Sequence, residues 1–167
     1  KLEAEEAIIK NLNNTNVNYF IIRIPLVYGP NAKGNFKLLK LLLNNNLPNP
    51  LLCFNSKRSM LSIYNLIDFI LHLLLSNKIK SNIYLLSDND DVSLSELSKI
   101  IINNLKLEKA GININPKIIL LMLFLIGKKE LFYKMYDRFQ IDINYTIKNT
   151  NWKPKYSVDE SIKKTFY

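Results

Sequence analysis

The stretch Tyr19-Phe20-Ile21-Ile22 constrains the fold of this chain most, because four apolar residues run without polar alternation and lead into a loop punctuated by Pro25, Gly29 and Pro30. A strand solvated on one face alternates. A continuously apolar one is covered on both faces, as in a parallel sheet between helix layers. Val17 to Ile24 is therefore predicted as a buried strand, and Asn82 to Leu86 reads as a second. Helices are predicted around them. Lys1 to Asn11 carries Leu2, Ala4, Ala7 and Ile8 at helical spacing and stops in the Asn-rich turn Asn13 to Asn16. Phe36 to Asn44 reads as a helix ended by Leu47-Pro48-Asn49-Pro50. Leu51 to Phe54 and Ser59 to Ile63 read as short extended pieces. Asn65 is expected to cap a helix through Ser76 with Leu66, Ile67, Ile70, Leu73 and Leu74 on its apolar side. Ser93 with Glu96, and Ser157 with Glu160, have the spacing of capping boxes for two further helices, the first running to about Leu105. Helix and strand alternate, which makes the chain α/β.

Composition narrows the chemistry. With 167 residues, 48% hydrophobic and 22% charged, the chain is long enough to bury a core without staples. One cysteine, Cys53, excludes an internal disulfide. With His72 the only histidine, no transition-metal site is expected. Cys53 reads as a small buried apolar residue, and His72 as a structural one. The formal charge is +9, but 20 of the 23 basic residues are lysines scattered singly or in pairs. A nucleic-acid footprint is a stripe or a block, so nucleic acid is not an expected partner. The arginines Arg23, Arg58 and Arg138 stand out instead, because a planar fork binds phosphate in a way that lysine does not reproduce.

Ile118 to Ile126 is nine apolar residues in a row between Lys117 and Gly127-Lys128-Lys129. Spanning a bilayer takes about 20, so the segment is expected to be a helix buried against the domain or a partner subunit. A membrane-surface contact helped by the flanking lysines is the alternative. In open α/β sheets ligands bind beyond the carboxyl ends of the strands, which draws attention to Pro25 to Asn35.

Four segments, in order, carry a resemblance: Lys1-Leu2-Glu3-Ala4-Glu5; Arg23-Ile24-Pro25-Leu26-Val27-Tyr28-Gly29-Pro30; Arg58-Ser59-Met60-Leu61-Ser62-Ile63-Tyr64-Asn65-Leu66-Ile67-Asp68; and Asp142 followed by Trp152 and Pro154. Together they resemble the C-terminal half of the extended short-chain dehydrogenase/reductases, in the branch of nucleotide-sugar epimerases, dehydratases and 4-keto-reductases. The resemblance implies the C-terminal part of a doubly wound Rossmann-type sheet, with residues 1–31 and 59–92 on it. A smaller α+β substrate-binding lobe is implied for residues 32–58 and 93–167. It also implies NAD or NADP as cofactor, a nucleotide-sugar substrate, a cytoplasmic homodimer when complete, and hydride transfer at the sugar C4. Gly34-Asn35-Phe36 with Leu47-Pro48 resembles members acting in surface-polysaccharide synthesis.

Site residues follow from the same resemblance. Lys1 matches the lysine of a Tyr-x-x-x-Lys pair, which lowers the phenol pKa from about 10 and holds the nicotinamide ribose. Pro25 and Val27 match the segment beside the nicotinamide, Arg58 the arginine on the substrate diphosphate, and Asn35 a substrate contact. Lys134 and Arg138 are rival positions for a second cation. Asp142, Trp152 and Pro154 are expected to be architectural. Leu26 departs from the pattern, since epimerases and dehydratases tend to carry Asn there. That departure moves weight toward a 4-keto-reductase. The family's Gly-x-x-Gly-x-x-Gly loop and its tyrosine are not among these residues, so they are expected to be half of an enzyme, inactive alone. Two alternatives of other classes remain: a non-catalytic regulatory protein of the same fold, and a basic membrane-associated domain.

Overall fold

A computed structural model describes residues 1–30, 49–106 and 114–166. The expected helix over Phe36 to Asn44 and the candidate Asn35 lie outside the described residues. Helix α1 spans Leu2–Leu12 and leads to strand β1, Phe20–Arg23. The expected strand over Val17 to Ile24 is thus trimmed to four residues, and Pro25, which has no N–H to give a ladder, separates β1 from β2, Leu26–Tyr28. Strand β3, Met60–Ser62, runs into helix α2, Ile63–Leu75, and β4 covers Asn82–Leu85. β1 pairs in parallel with β4, Ile21 opposite Ile83, and β2 pairs in parallel with β3, Val27 opposite Leu61. Parallel neighbours need a crossover, and α2 lies on the one from β1 to β4. The chain leaving β4 then links the pairs: the Leu86 N–H donates to Arg23 O at 3.1 Å and the Asp88 N–H to Met60 O at 2.8 Å.

Local chemistry explains the element ends, and corrects two expectations. Asn65 does not cap α2. Ser62 does, its hydroxyl accepting from the Tyr64 and Asn65 N–H groups. Leu51 to Phe54 is not extended either: Pro50–Cys53 is a 3₁₀ turn, opened by the Asn49 side chain accepting from the Leu51 N–H at 3.0 Å, with Pro50 already at a helical φ. The box Ser93/Glu96 forms in both directions and opens α3, Leu94–Asn104. Asn115 caps α4, Pro116–Leu125, which begins two residues before the apolar run. Gly127, at φ +70°, lets the chain leave that helix. Helices α5 (Lys129–Tyr136), α6 (Asn144–Thr150) and α7 (Val158–Phe166) follow, and Ser157 with Glu160 forms the second box at the start of α7.

Three clusters make the core. Tyr28 and Met60 from β2 and β3 pack with Val92, with Leu97 and Ile101 of α3, and with Val158 and Ile162 of α7. Leu61, Phe69, Tyr84 and Trp152 join β3, β4 and α2, with Phe20 and Ile22 partly against them. Phe54, Ile119 and Phe132 tie the 3₁₀ turn to α4 and α5. On α2 the buried face is Asn65, Phe69 and Leu73. Of the expected apolar side only Leu73 is buried, Leu66 being half-buried and Ile67, Ile70 and Leu74 exposed. This helix is apolar nearly all round, so periodicity does not choose its face; ring packing does, with Phe69 edge-on to Trp152 at 4.9 Å. The apolar helix α4 buries only Ile119, contrary to the expectation that it is covered. Among the described residues no helix is long and apolar enough to cross a membrane.

A buried polar hub joins these layers. Asp88 accepts from the Ser62 N–H at 2.9 and 3.0 Å, from the Tyr28 hydroxyl at 2.7 Å and from the Asn65 amide at 2.7 Å. That amide also donates to Tyr156 O, and the Asn65 carbonyl accepts from the Lys155 and Tyr156 N–H groups. Every hydrogen-bonding position of Asn65 is used, in full burial. Asn65→Ala strands partners on β3, the Asp88 loop and the C-terminal segment. It is expected to cost about 3 kcal/mol in urea unfolding, whereas exposed Asn103→Ala stays within about 0.5 kcal/mol.

Candidate functional site

The chain beyond the carboxyl end of β1, the amino ends of β2 and β3, helix α5 and the start of α3 line a cleft of about 450 Å³. Pro25, Leu26 and Met60 come from the strand side, Leu94 from α3, and Leu131, Lys134 and Met135 from α5, with Arg58, Ser59 and Phe139 along the seam. The walls are mainly apolar. Two cations, Arg58 and Lys134, break them, and among the described residues neither has an acidic partner. An unpaired guanidinium and an ammonium over an apolar floor can take an anionic ligand with a weakly polar body.

Arg58 is held through its main chain rather than its side chain. Its N–H donates to Val92 O at 3.0 Å and its carbonyl accepts from the Val92 N–H at 3.2 Å. On the other side the Ser59 N–H donates to Phe139 O at 2.7 Å, and the Phe139 N–H donates to Lys57 O. The Ser59 hydroxyl donates to Asp91 at 2.6 Å and accepts from the Ile141 N–H at 2.8 Å, while Lys57 grips both Glu96 oxygens. Lys57 and the Ser93 N–H hold the Glu96 carboxyl below the usual range. All of this fixes the backbone and, among the described residues, leaves the guanidinium without an acidic partner. The junction was not legible in the sequence, because its ties are main-chain bonds between distant segments.

The other candidates divide. Pro25 and Lys134 line the cleft with Arg58, but Arg138, one turn beyond Lys134, is exposed and is not among the lining residues. Val27 is half-buried inside β2 and lies behind the wall. Lys1 is exposed at the start of α1. A pair that sequence reasoning did not single out ties its helix to the sheet: Arg23, the last residue of β1, donates through Nε at 3.0 Å and through a terminal nitrogen at 2.6 Å to one oxygen of Glu5. That contact holds the Glu5 carboxyl below its usual range. Lys1 itself does not line the cleft. Tyr28 is not an acid or base for this cleft, since burial and the Asp88 carboxylate push its phenol far up. Cys53 is half-buried with its thiol raised by burial and directed at Pro50 O, and His72 bonds Thr150 O at 2.7 Å. Trp152 donates to Asp68, and Asp142 accepts from the Asn144 N–H, both contacts that lock the chain before α7.

No family model matches the chain. It is 32% identical over 168 aligned positions to UDP-glucose 4-epimerase of Vibrio cholerae, which covers 99% of this chain and 51% of that protein. Nearly the whole of this chain is therefore similar to part of an epimerase, consistent with the C-terminal half of an extended short-chain dehydrogenase/reductase. It spans about half the length of that relative. Solved structures of the Rossmann type superpose on nearly all of it. The UDP-glucose 4-epimerase of Thermotoga maritima with UDP-glucose matches at a TM-score of 0.74 and 14% identity, over 99% of this chain and 50% of that one. UDP-glucuronic acid 4-epimerase from Bacillus cereus in complex with NAD matches at 0.73 and 17%, over 99% and 49%. The Bordetella bronchiseptica enzyme WbmG in complex with NAD and UDP matches at 0.68 and 16%, over 98% and 47%. At such identities these structures establish the fold alone.

The extended dehydrogenase/reductase frame gives Arg58 and Ser59 opposite stability profiles. Arg58→Ala is expected to leave thermal unfolding within about 0.5 kcal/mol of the parent, since only a free side chain is lost. Ser59→Ala removes a buried donor and acceptor and is expected to cost about 2 kcal/mol.

Proposed function

We propose that the chain carries the substrate-binding residues of an NAD(P)-dependent nucleotide-sugar epimerase or 4-keto-reductase acting at C4 of a UDP-sugar. The observation that carries this reading is the cleft beyond the carboxyl end of β1, where Arg58 and Lys134 stand over apolar walls with no acidic partner among the described residues. Their charges suit a diphosphate, and Arg58 adds a fork geometry that binds two oxygens at once. Asn35, beyond the described residues, and Arg138, outside the cleft lining, are kept as further substrate contacts on the family resemblance. A relative named UDP-glucose 4-epimerase, and neighbours crystallised with NAD, UDP or UDP-glucose, support the same substrate and cofactor class.

The cationic Lys1 and the apolar Pro25–Val27 segment have the chemistry a nicotinamide dinucleotide needs, and the Glu5–Arg23 pair supports this reading by tying the helix that follows Lys1 to the end of β1. When bound, the dinucleotide supplies the acceptor and donor of hydride at the sugar carbon. Lys1 holds the ribose and favours the ionised form of a neighbouring phenol, which takes the proton from the sugar hydroxyl. Pro25 and Val27 shape the surface against the carboxamide. Leu26 faces the cleft as a hydrocarbon where an asparagine would offer two donors and an acceptor, which favours a reductase of a 4-keto-6-deoxy sugar over a simple epimerase. A homodimer and a role in surface-polysaccharide synthesis rest on the family resemblance. The absence of any buried residue on α1 agrees with the dimer.

Kinetics and binding on the full gene product test this. Arg58→Ala and Lys134→Ala are each expected to weaken UDP binding by roughly 10- to 100-fold in calorimetry, the worth of a charge-assisted hydrogen bond. Lys1→Met is expected to lower kcat by roughly 100-fold or more while UDP affinity holds. Unchanged UDP affinity in the Arg58/Lys134 double variant removes the assignment of the cleft. Leu26→Asn is expected to raise 4-epimerisation relative to 4-keto reduction, measured by product analysis on a UDP-sugar and its 4-keto form.

A further inference from the structure

Helix α4 has no polar face. Its ten residues run Pro-Lys-Ile-Ile-Leu-Leu-Met-Leu-Phe-Leu, and Ile119 is the one that is buried. Ile118, Leu121, Met122, Phe124, Leu125 and Ile126 are each more than half exposed, Leu125 at 75%. Leu131, Tyr133 and Tyr136 of α5 continue the apolar surface. Single exposed apolar residues are ordinary, but a contiguous patch beyond the ~300–600 Å² usual on a monomer marks a protein or membrane contact.

The charges around the patch choose between the two. Lys117 precedes it, and Lys128 and Lys129 follow it. α4 itself contains no acid, and Glu130 is the nearest one in sequence. A two-fold contact between copies through this face would set the same cationic rim against itself, so a second copy is disfavoured. An anionic lipid surface offers both an apolar layer for the side chains and phosphates for the lysines. At 1.5 Å per residue the helix is about 15 Å long, half of a hydrocarbon core, so it fits in the interface plane and does not span. Its exposed tyrosines on α5 suit the headgroup level, where an apolar ring and a polar tip are both accommodated.

We infer that the α4–α5 face is a peripheral membrane-docking surface for anionic lipid, seating Leu121, Phe124, Leu125 and Ile126 in the acyl boundary with Lys117, Lys128 and Lys129 on the phosphates. Leu131 borders both this face and the cleft, but none of the residues seated in the lipid lines the cleft, so the inference is separate from the substrate reading.

The test is co-sedimentation of the full gene product with phosphatidylcholine vesicles containing about one-third phosphatidylglycerol, at about 0.15 M salt. The parent is expected to pellet with these vesicles. The exposed double variant Leu125→Glu/Ile126→Glu is expected to bind at least 10-fold less while keeping the parent melting temperature and UDP affinity. The triple variant Lys117→Gln/Lys128→Gln/Lys129→Gln is expected to lose most of the preference for anionic over neutral vesicles. Failure of the parent to pellet overturns the proposal. So does pelleting that the Glu double variant leaves intact, which would assign binding to the general lysine background. A parent dimer that the Glu variant splits without any vesicle binding overturns it in favour of a protein contact.

Discussion

One buried carboxylate, Asp88, holds the two strand pairs in register. It sits where the chain leaves β4 and passes β3, and it takes hydrogen bonds from the β2 tyrosine, the β3–α2 junction and the buried Asn65. Burial pushes its pKa up, and the Asn65, Ser62 and Tyr28 donors pull in the opposite direction. A carboxylate in an apolar interior is costly unless its lone pairs are all engaged. Each engaged donor here belongs to a different element, so the cost is met only when β2, β3, α2 and the Tyr156 segment assemble together. That is a requirement for specific topology more than a source of net stability. It also neutralises Tyr28 as chemistry: a phenol donating to a buried carboxylate is a strut.

The hub sets the cleft indirectly. With Tyr28 fixed, Gly29 passes so close to α2 that a Cβ there would run into the Ile63 side chain, and only glycine permits the approach. At the other end of β2, Pro25 and Leu26 form one cleft wall. Opposite them, the junction at Arg58 is built the other way, from main-chain bonds to Val92 and Phe139. Backbone anchoring leaves the Arg58 side chain with no structural task, the condition under which a positioned cation is available to a ligand.

Local signals were legible in the sequence and tertiary ones were not. Both capping boxes stand where Ser93/Glu96 and Ser157/Glu160 announced them, because a box is a contact within four residues. The parallel pairing of β1 and β4 followed from an apolar run that only a doubly covered strand tolerates. Misread elements share one cause. At Asn65, at the Leu51 segment and on the apolar side of α2, the residue types permitted several local solutions, and distant partners chose among them. Asn65 looked like a cap because asparagine caps well in isolation. Its partners Asp88 and Tyr156 O lie 23 and 91 residues away in the chain. In the site, Arg58 and Lys134 were legible through the family resemblance and meet in one cleft, whereas the Glu5–Arg23 pair was missed because its two halves belong to separate motifs.

Arginine use explains why a lysine-rich chain keeps so few guanidinium groups. The Arg23–Glu5 contact is exposed, so screening leaves it little energy. Its value is directional. Two N–H groups of one rigid plane converge on a single carboxylate oxygen, which fixes the rotation of α1 about its axis as well as its distance from β1. A lysine ammonium would attract the same carboxylate but swivel about it, and α1, with no fully buried residue and only Ile9 and Leu12 half-buried besides Glu5, has little else to stop that rotation. An energetically minor ion pair therefore sets how α1 lies against β1, and geometry, rather than charge, is what this position demands of its cation.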